Sequence, residues 1–132
     1  MKKLVLGLTL VVAAGFLFFG VQKFGPTNPI FAIIAERSGI SLFEPVIRML
    51  TGVAEVGTAI LILIPRTRLL GTLGGLGVVV GAIGFHLSPW LGINVPGMGH
   101  GLFITALVLA ALTATLLVLL RKQGYSLFSG LK

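Results

Sequence analysis

The 132-residue chain has no cysteine, and its only acidic residues are three glutamates, Glu36, Glu44 and Glu55. Without thiols it cannot be a disulfide scaffold, a thiolate metal site, an iron–sulfur carrier or a CxxC oxidoreductase. The two histidines, His86 and His100, have no carboxylate at ligand spacing, so no metal site is expected. Charge is scarce as well: 10% of residues are charged, against roughly 25% in an average soluble domain. The ten Lys and Arg give a net charge of +7, but they are scattered between apolar segments and form no single basic face. Membrane topology accounts for them better than phosphate binding does, and no nucleic-acid partner is expected.

Apolar side chains fill the space left by charge: 56% of residues are hydrophobic and the mean hydropathy is +1.12. A helix needs about 20 mainly apolar residues to cross roughly 30 Å of hydrocarbon. Four such runs occur, over about 4–24, 45–64, 68–87 and 102–120, bounded by Pro26 and Pro29, Pro45, Pro65, and Ser88-Pro89. The expected architecture is one all-α membrane domain over residues 1–132, a bundle of four transmembrane helices. The connection from Gly25 to Glu44 is longer than most helix connections. Its middle, Ile30 to Arg37, is too short to span but suits an interfacial or re-entrant helix begun by Asn28-Pro29.

Short cytoplasmic loops collect Lys and Arg. Lys2, Lys3, Arg66, Arg68, Arg121, Lys122 and Lys132 fall on one side of this topology, and Lys23, Arg37 and Arg48 on the other. Both termini are therefore expected in the cytoplasm, with the chain in a bacterial-type cytoplasmic membrane. Met1-Lys2-Lys3 followed by an apolar run also resembles a secretory signal, but that run is about twice as long as a typical signal core, and a retained span is expected. Trp90 is expected at the outer aromatic belt and Tyr125 at the inner one.

Helices in lipid meet through small residues. Gly74, Gly77, Gly81 and Gly84 lie on one stripe of the third span and are expected to pack against a neighbour, and Gly71/Gly75 and Gly77/Gly81 are GxxxG pairs. In the second span Arg48, Gly52, Glu55 and Ala59 share a face. Counted from Pro45, Glu55 sits roughly 15 Å deep, where an ionised group is costly unless paired, hydrated or protonated. It is the strongest functional candidate. A direct pair with Arg48, two turns away, would turn that side chain against its preference to reach outward. The expectation is a polar pocket with Glu55 at its floor and Lys23, Arg48 and His86 around its mouth. No residue set points to a catalytic role. His100 lies in a glycine-rich loop, which suits haem ligation poorly; a quinone is the better-suited cofactor.

The run Gly20-x-x-Lys23-Phe24, then Arg48-x-x-x-Gly52-x-x-Glu55, then Ala82-x-x-x-His86 resembles the DoxX-like family of small four-helix membrane proteins. The C-terminal Gly124-Tyr125-Ser126-Leu127 is also similar, with Phe128 where an acidic residue is usual. The resemblance covers nearly the whole chain and marks Lys23, Arg48, Gly52, Glu55 and His86. It implies association with membrane redox assemblies, such as those built around thiosulfate:quinone oxidoreductase or serving amine-dehydrogenase maturation. The expected function is a non-catalytic accessory or assembly subunit of a larger membrane redox complex, partnered by other membrane subunits or by itself. The alternative is a quinone- or lipid-binding subunit of an oxidoreductase, in which Glu55 handles a proton and Arg48 or His86 meets the headgroup.

Overall fold

The computed structural model describes residues 1–26 and 28–129; Lys132, counted above among the basic terminal residues, lies outside them. Five helices follow in order: α1 (Lys2–Gln22), α2 (Pro29–Ser38), α3 (Val46–Leu63), α4 (Arg68–Leu87) and α5 (Gly101–Lys122). Short 3-10 turns at Ser41–Phe43 and Pro65–Thr67 lead into α3 and α4. Helices α1, α3, α4 and α5 are each long and apolar enough to cross a membrane, so the chain is a multi-pass membrane protein. They pack in a ring, α1 on α3, α3 on α4, α4 on α5 and α5 back on α1. With four alternating spans, both described chain ends and the α3–α4 turn share one end of the bundle, the terminal end. Helix α2 and the α4–α5 loop cover the other, the α2 end.

The four expected spans match these helices to within two residues at each boundary. Helix α2 begins as its cap signal requires: Asn28 Oδ1 accepts from the N–H groups of Ile30 (3.0 Å) and Phe31 (3.4 Å). It ends at Gly39, whose left-handed φ of 74° lets its N–H return to the Ala35 carbonyl. Phe31 and Ile34 of α2 then pack with Phe43, Leu91 and Val95 into an apolar lid on the bundle, and Arg37 Nη1 ties the lid down by donating to the Leu91 carbonyl at 3.2 Å.

Between the spans, α1 contributes Val12 and Phe16, α3 Ala59 and Ile62, α4 Leu69 and Val79, and α5 Leu116 and Leu120 to the central core. The buried hydroxyls of Thr9, Thr72 and Thr113 each donate back to a carbonyl four residues earlier, at 2.6–2.7 Å, so none is left unpaired where water is absent. At the terminal end the open carbonyls of α3 are closed by the next helix. Thr67 Oγ1 donates to Leu61 O (2.9 Å), Arg68 Nε to Ile62 O (2.8 Å) and Arg68 Nη2 to Leu63 O (3.2 Å). Arg68 Nη1 also donates to the Tyr125 hydroxyl. Tyr125 is thus folded under the bundle and buried, although the sequence suited it to an interfacial belt. Trp90 is half-exposed beside Phe43 and Phe85.

The glycine stripe behaves differently from expectation. Gly74, Gly77, Gly81 and Gly84 are all exposed, and a Cβ on any of the last three would meet nothing within 4 Å. The close α3–α4 contact is made instead by Gly71 and Gly75. A Cβ on Gly71 would lie 2.7 Å from the Ile62 backbone N, and one on Gly75 2.8 Å from Phe16 and Thr58. The tight contact lies toward the terminal end, where Gly71 meets the Ile62 backbone and Gly75 meets Thr58 and Phe16; toward the α2 end Phe43 and Phe85 pack edge to face at 5.5 Å. Gly71→Ala is therefore expected to destabilise by about 1–3 kcal/mol through overpacking against backbone, whereas Gly77→Ala leaves stability unchanged or slightly raised. Thermal unfolding of both variants in one detergent checks the contrast.

Candidate functional site

The close approach of α1 and α3 is what brings ionisable groups together. A Cβ on Gly20 would meet Glu55 and the Val56 backbone at 3.0 Å, and one on Gly52 would meet Lys23 at 2.9 Å and the Phe24 ring at 3.0 Å. These two glycines set the backbones near enough for Lys23 to cross to Glu55. Gly52 thus lies at the close contact between α1 and α3.

Lys23 ends α1 but does not extend toward the α2 end. Its ammonium turns back along the helix, donating to the Phe19 carbonyl at 3.1 Å and to Glu55 Oε1 at 2.9 Å. Glu55 lies roughly 14 Å along α3 from Val46, and its side chain is 8% exposed, that of Lys23 13%. The costly buried glutamate is thereby paired, and its partner is Lys23.

His86, in the last turn of α4, is buried. Its Nδ1 lies 2.9 Å from the Gly92 carbonyl. A carbonyl can only accept, so Nδ1 carries the hydrogen, and in the neutral ring Nε2 is left as an acceptor. The ring edge rests on Phe103 at 5.6 Å.

Lys23, Glu55 and His86 line one cavity of about 430 Å³ in the α2 half of the bundle. Apart from Thr51, whose hydroxyl donates to the Ile47 carbonyl at 2.8 Å, its walls are apolar, with Phe16 and Phe19 from α1, Leu50 and Ala54 from α3, Val78 and Phe85 from α4 and Leu109 from α5. Ile30, Phe31 and Ile34 of α2 and Leu91 of the α4–α5 loop complete the lining from the lid. An apolar chamber with a few fixed polar groups is the usual form of a small-molecule site.

Arg48 does not join it. Its side chain is 1% exposed and is committed elsewhere. Nε donates to Glu44 Oε1 (2.6 Å), Nη1 to the carbonyls of Lys23 (2.5 Å) and Gly25 (2.7 Å), and Nη2 to that of Pro26 (3.4 Å). The expectation that Arg48 sits at the pocket mouth is corrected. The carbonyls of the connection that follows α1 need donors, and a planar guanidinium supplies several at once. Sequence reasoning gave no role to Glu44, which anchors this clamp; its i, i+4 spacing to Arg48 was the available signal. It also missed the cavity lining from α2, whose apolar Ile30, Phe31 and Ile34 were visible but whose docking site was not.

His100 is exposed at the start of α5, apart from the cavity lining. Among the described residues no group of three or more His, Asp or Glu side chains is arranged to hold a metal. No protein-family model matches the chain, and neither a curated protein nor a solved structure matches it.

Proposed function

We propose that this protein is a membrane subunit that binds a lipid-soluble amphiphile, a quinone or a lipid, in the cavity between its four spans. The observation that carries this reading is the composition of that cavity: a lid of apolar side chains, largely apolar walls, and four polar side chains, Lys23, Thr51, Glu55 and His86, of which Thr51 already donates to the Ile47 carbonyl. Such a chamber suits a molecule with a long hydrocarbon part and a small oxygen-bearing head. Lys23, Glu55 and His86 are among the residues that carry the DoxX-like resemblance, and membership of that family is part of the proposal. So is the setting: a bacterial-type cytoplasmic membrane, with both termini cytoplasmic because Lys2, Lys3, Arg66, Arg68, Arg121 and Lys122 gather at the terminal end. The subunit then serves a larger membrane redox assembly by holding the amphiphile.

The test is native mass spectrometry of protein gently extracted from its own membranes, with solvent extraction and an absorption spectrum of what is released. A stoichiometric bound amphiphile is the expected result, with the spectrum separating a quinone from a lipid. Recovery free of any such molecule, together with stoichiometric larger subunits, would replace this reading with a purely structural assembly role.

A further inference from the structure

The cavity is lined by residues of very different exposure, and the exposed ones are not scattered. Leu50 and Ala54 of α3 and Gly77, Gly81 and Ala82 of α4 are exposed at the bundle surface while also lining the chamber. Among the described residues, no exposed lining residue comes from α1, α2, α5 or the α4–α5 loop. The chamber therefore opens along the seam between α3 and α4. Both helices cross the membrane, so this opening faces hydrocarbon. Gly77 and Gly81 leave it clear, since no side chain from elsewhere fills the space over them.

The chamber lining also holds hydrogen-bonding capacity that the protein does not use. His86 is buried, and with Nδ1 engaged by Gly92 its Nε2 has no partner among the described residues. Lys23 has three N–H donors, of which Phe19 O and Glu55 Oε1 take two. The charges on the lining cancel: Lys23 and Glu55 neutralise each other, and Arg48 is committed to Glu44 and the loop carbonyls. A phosphate head would meet no uncompensated cation here, whereas a neutral head with a hydroxyl or a carbonyl finds an acceptor at His86 and a donor at Lys23.

We infer that the α3–α4 seam is a lateral portal through which a neutral-headed, single-chain amphiphile passes from the bilayer, its oxygen-bearing head held between Lys23 and His86 and its chain lying across Gly77 and Gly81. This inference rests on the proposed amphiphile-binding function and adds the route and the class of head. A benzoquinone and a long-chain isoprenoid alcohol share that chemistry.

Trp90 is the only tryptophan and its ring lies 6.3 Å from that of Phe85, a lining residue, so it reports on the chamber. Purified full-length protein in detergent is titrated with a decyl-tailed benzoquinone and Trp90 quenching is followed, with farnesol and a lysophosphatidylglycerol as competitors. Gly77→Leu and Gly81→Leu place bulk in the portal, and Val80→Leu on the exposed face of the same helix is the control. The expected result is saturable quenching in the wild type, relieved by farnesol but not by the lysophospholipid. Affinity falls by about tenfold or more in the two glycine variants at unchanged thermal midpoint, and stays at the wild-type value in Val80→Leu. Competition by farnesol identifies the head as a general neutral oxygen group, and its failure beside saturable quinone binding narrows the class to quinones. Wild-type affinity in both glycine variants would overturn the portal and leave the binding function standing. Competition by the lysophospholipid as strong as that by farnesol would overturn the neutral-head assignment. No saturable quenching and no bound amphiphile in native spectra would overturn the inference and the function together.

Discussion

Lys23→Met is expected to lower stability by about 3–5 kcal/mol, the cost of leaving one member of a buried ion pair without its partner. The ammonium it removes is the hydrogen-bond partner of Glu55 and sits in a site where neither side chain is more than 13% exposed. Water cannot readily take its place, and the carboxylate is left among Phe16, Phe19 and the apolar faces of α3 and α4. The prediction has a built-in control. Lys23→Met combined with Glu55→Met removes both charges and most of the desolvation penalty, so the double variant should recover the greater part of the loss. Denaturant or thermal unfolding of the four proteins in one detergent gives the coupling energy directly. Additive losses, with no recovery in the double variant, would show that the two groups do not depend on each other. Glu55→Gln alone is expected to be milder than Lys23→Met, because an amide oxygen still accepts from the ammonium and no bare carboxylate remains.

The second large effect concerns Arg48. Arg48→Ala is expected to cost about 3 kcal/mol or more, because it leaves the Glu44 carboxylate and several loop carbonyls without their donor. Glu44 Oε2 is already buried without a hydrogen-bond partner among the described residues, so the group has no reserve of partners. Arg48→Lys keeps the charge but not the fork that serves Glu44, Lys23, Gly25 and Pro26 at once, and should recover less than half of the loss. Because the clamp ties the start of α3 to the end of α1, hydrogen exchange across the α1–α2 connection should rise sharply in both variants while α5 stays protected. An Arg48→Lys protein with wild-type stability and exchange would mean that charge alone, without the fork, holds the connection.

The spans and the short helix α2 were legible in the sequence because length, apolarity and Asn28-Pro29 are local signals. Glu55 was legible for a related reason: depth along a helix can be counted from its start. The partners of these residues were not. Helical spacing shows that Arg48, Gly52, Glu55 and Ala59 share a face, but not which neighbour meets that face or which way a long side chain bends. Lys23 and Arg48 both sit near helix ends, where a cation ordinarily reaches toward headgroups. Each instead turns inward, Lys23 to a buried carboxylate and Arg48 to the carbonyls of the connection that follows α1. The glycines of α4 show the same limit. Two sets, Gly71 and Gly75 on one side and Gly74, Gly77, Gly81 and Gly84 on the other, are equally plain as spacing. Only the position of Ile62, Phe16 and Thr58 decides that the first set is packed and the second open.

The lid built from α2 has a consequence for how occupancy of the chamber must be expressed. With the proposed lateral portal, the chamber would exchange with solutes of the bilayer, whose abundance is a mole fraction among lipids. Diluting the cell or the buffer leaves that fraction untouched, whereas adding lipid to a fixed amount of protein and ligand lowers it. Apparent affinities measured at different lipid-to-protein ratios should therefore diverge when written as bulk molarity and collapse onto one value when written per lipid.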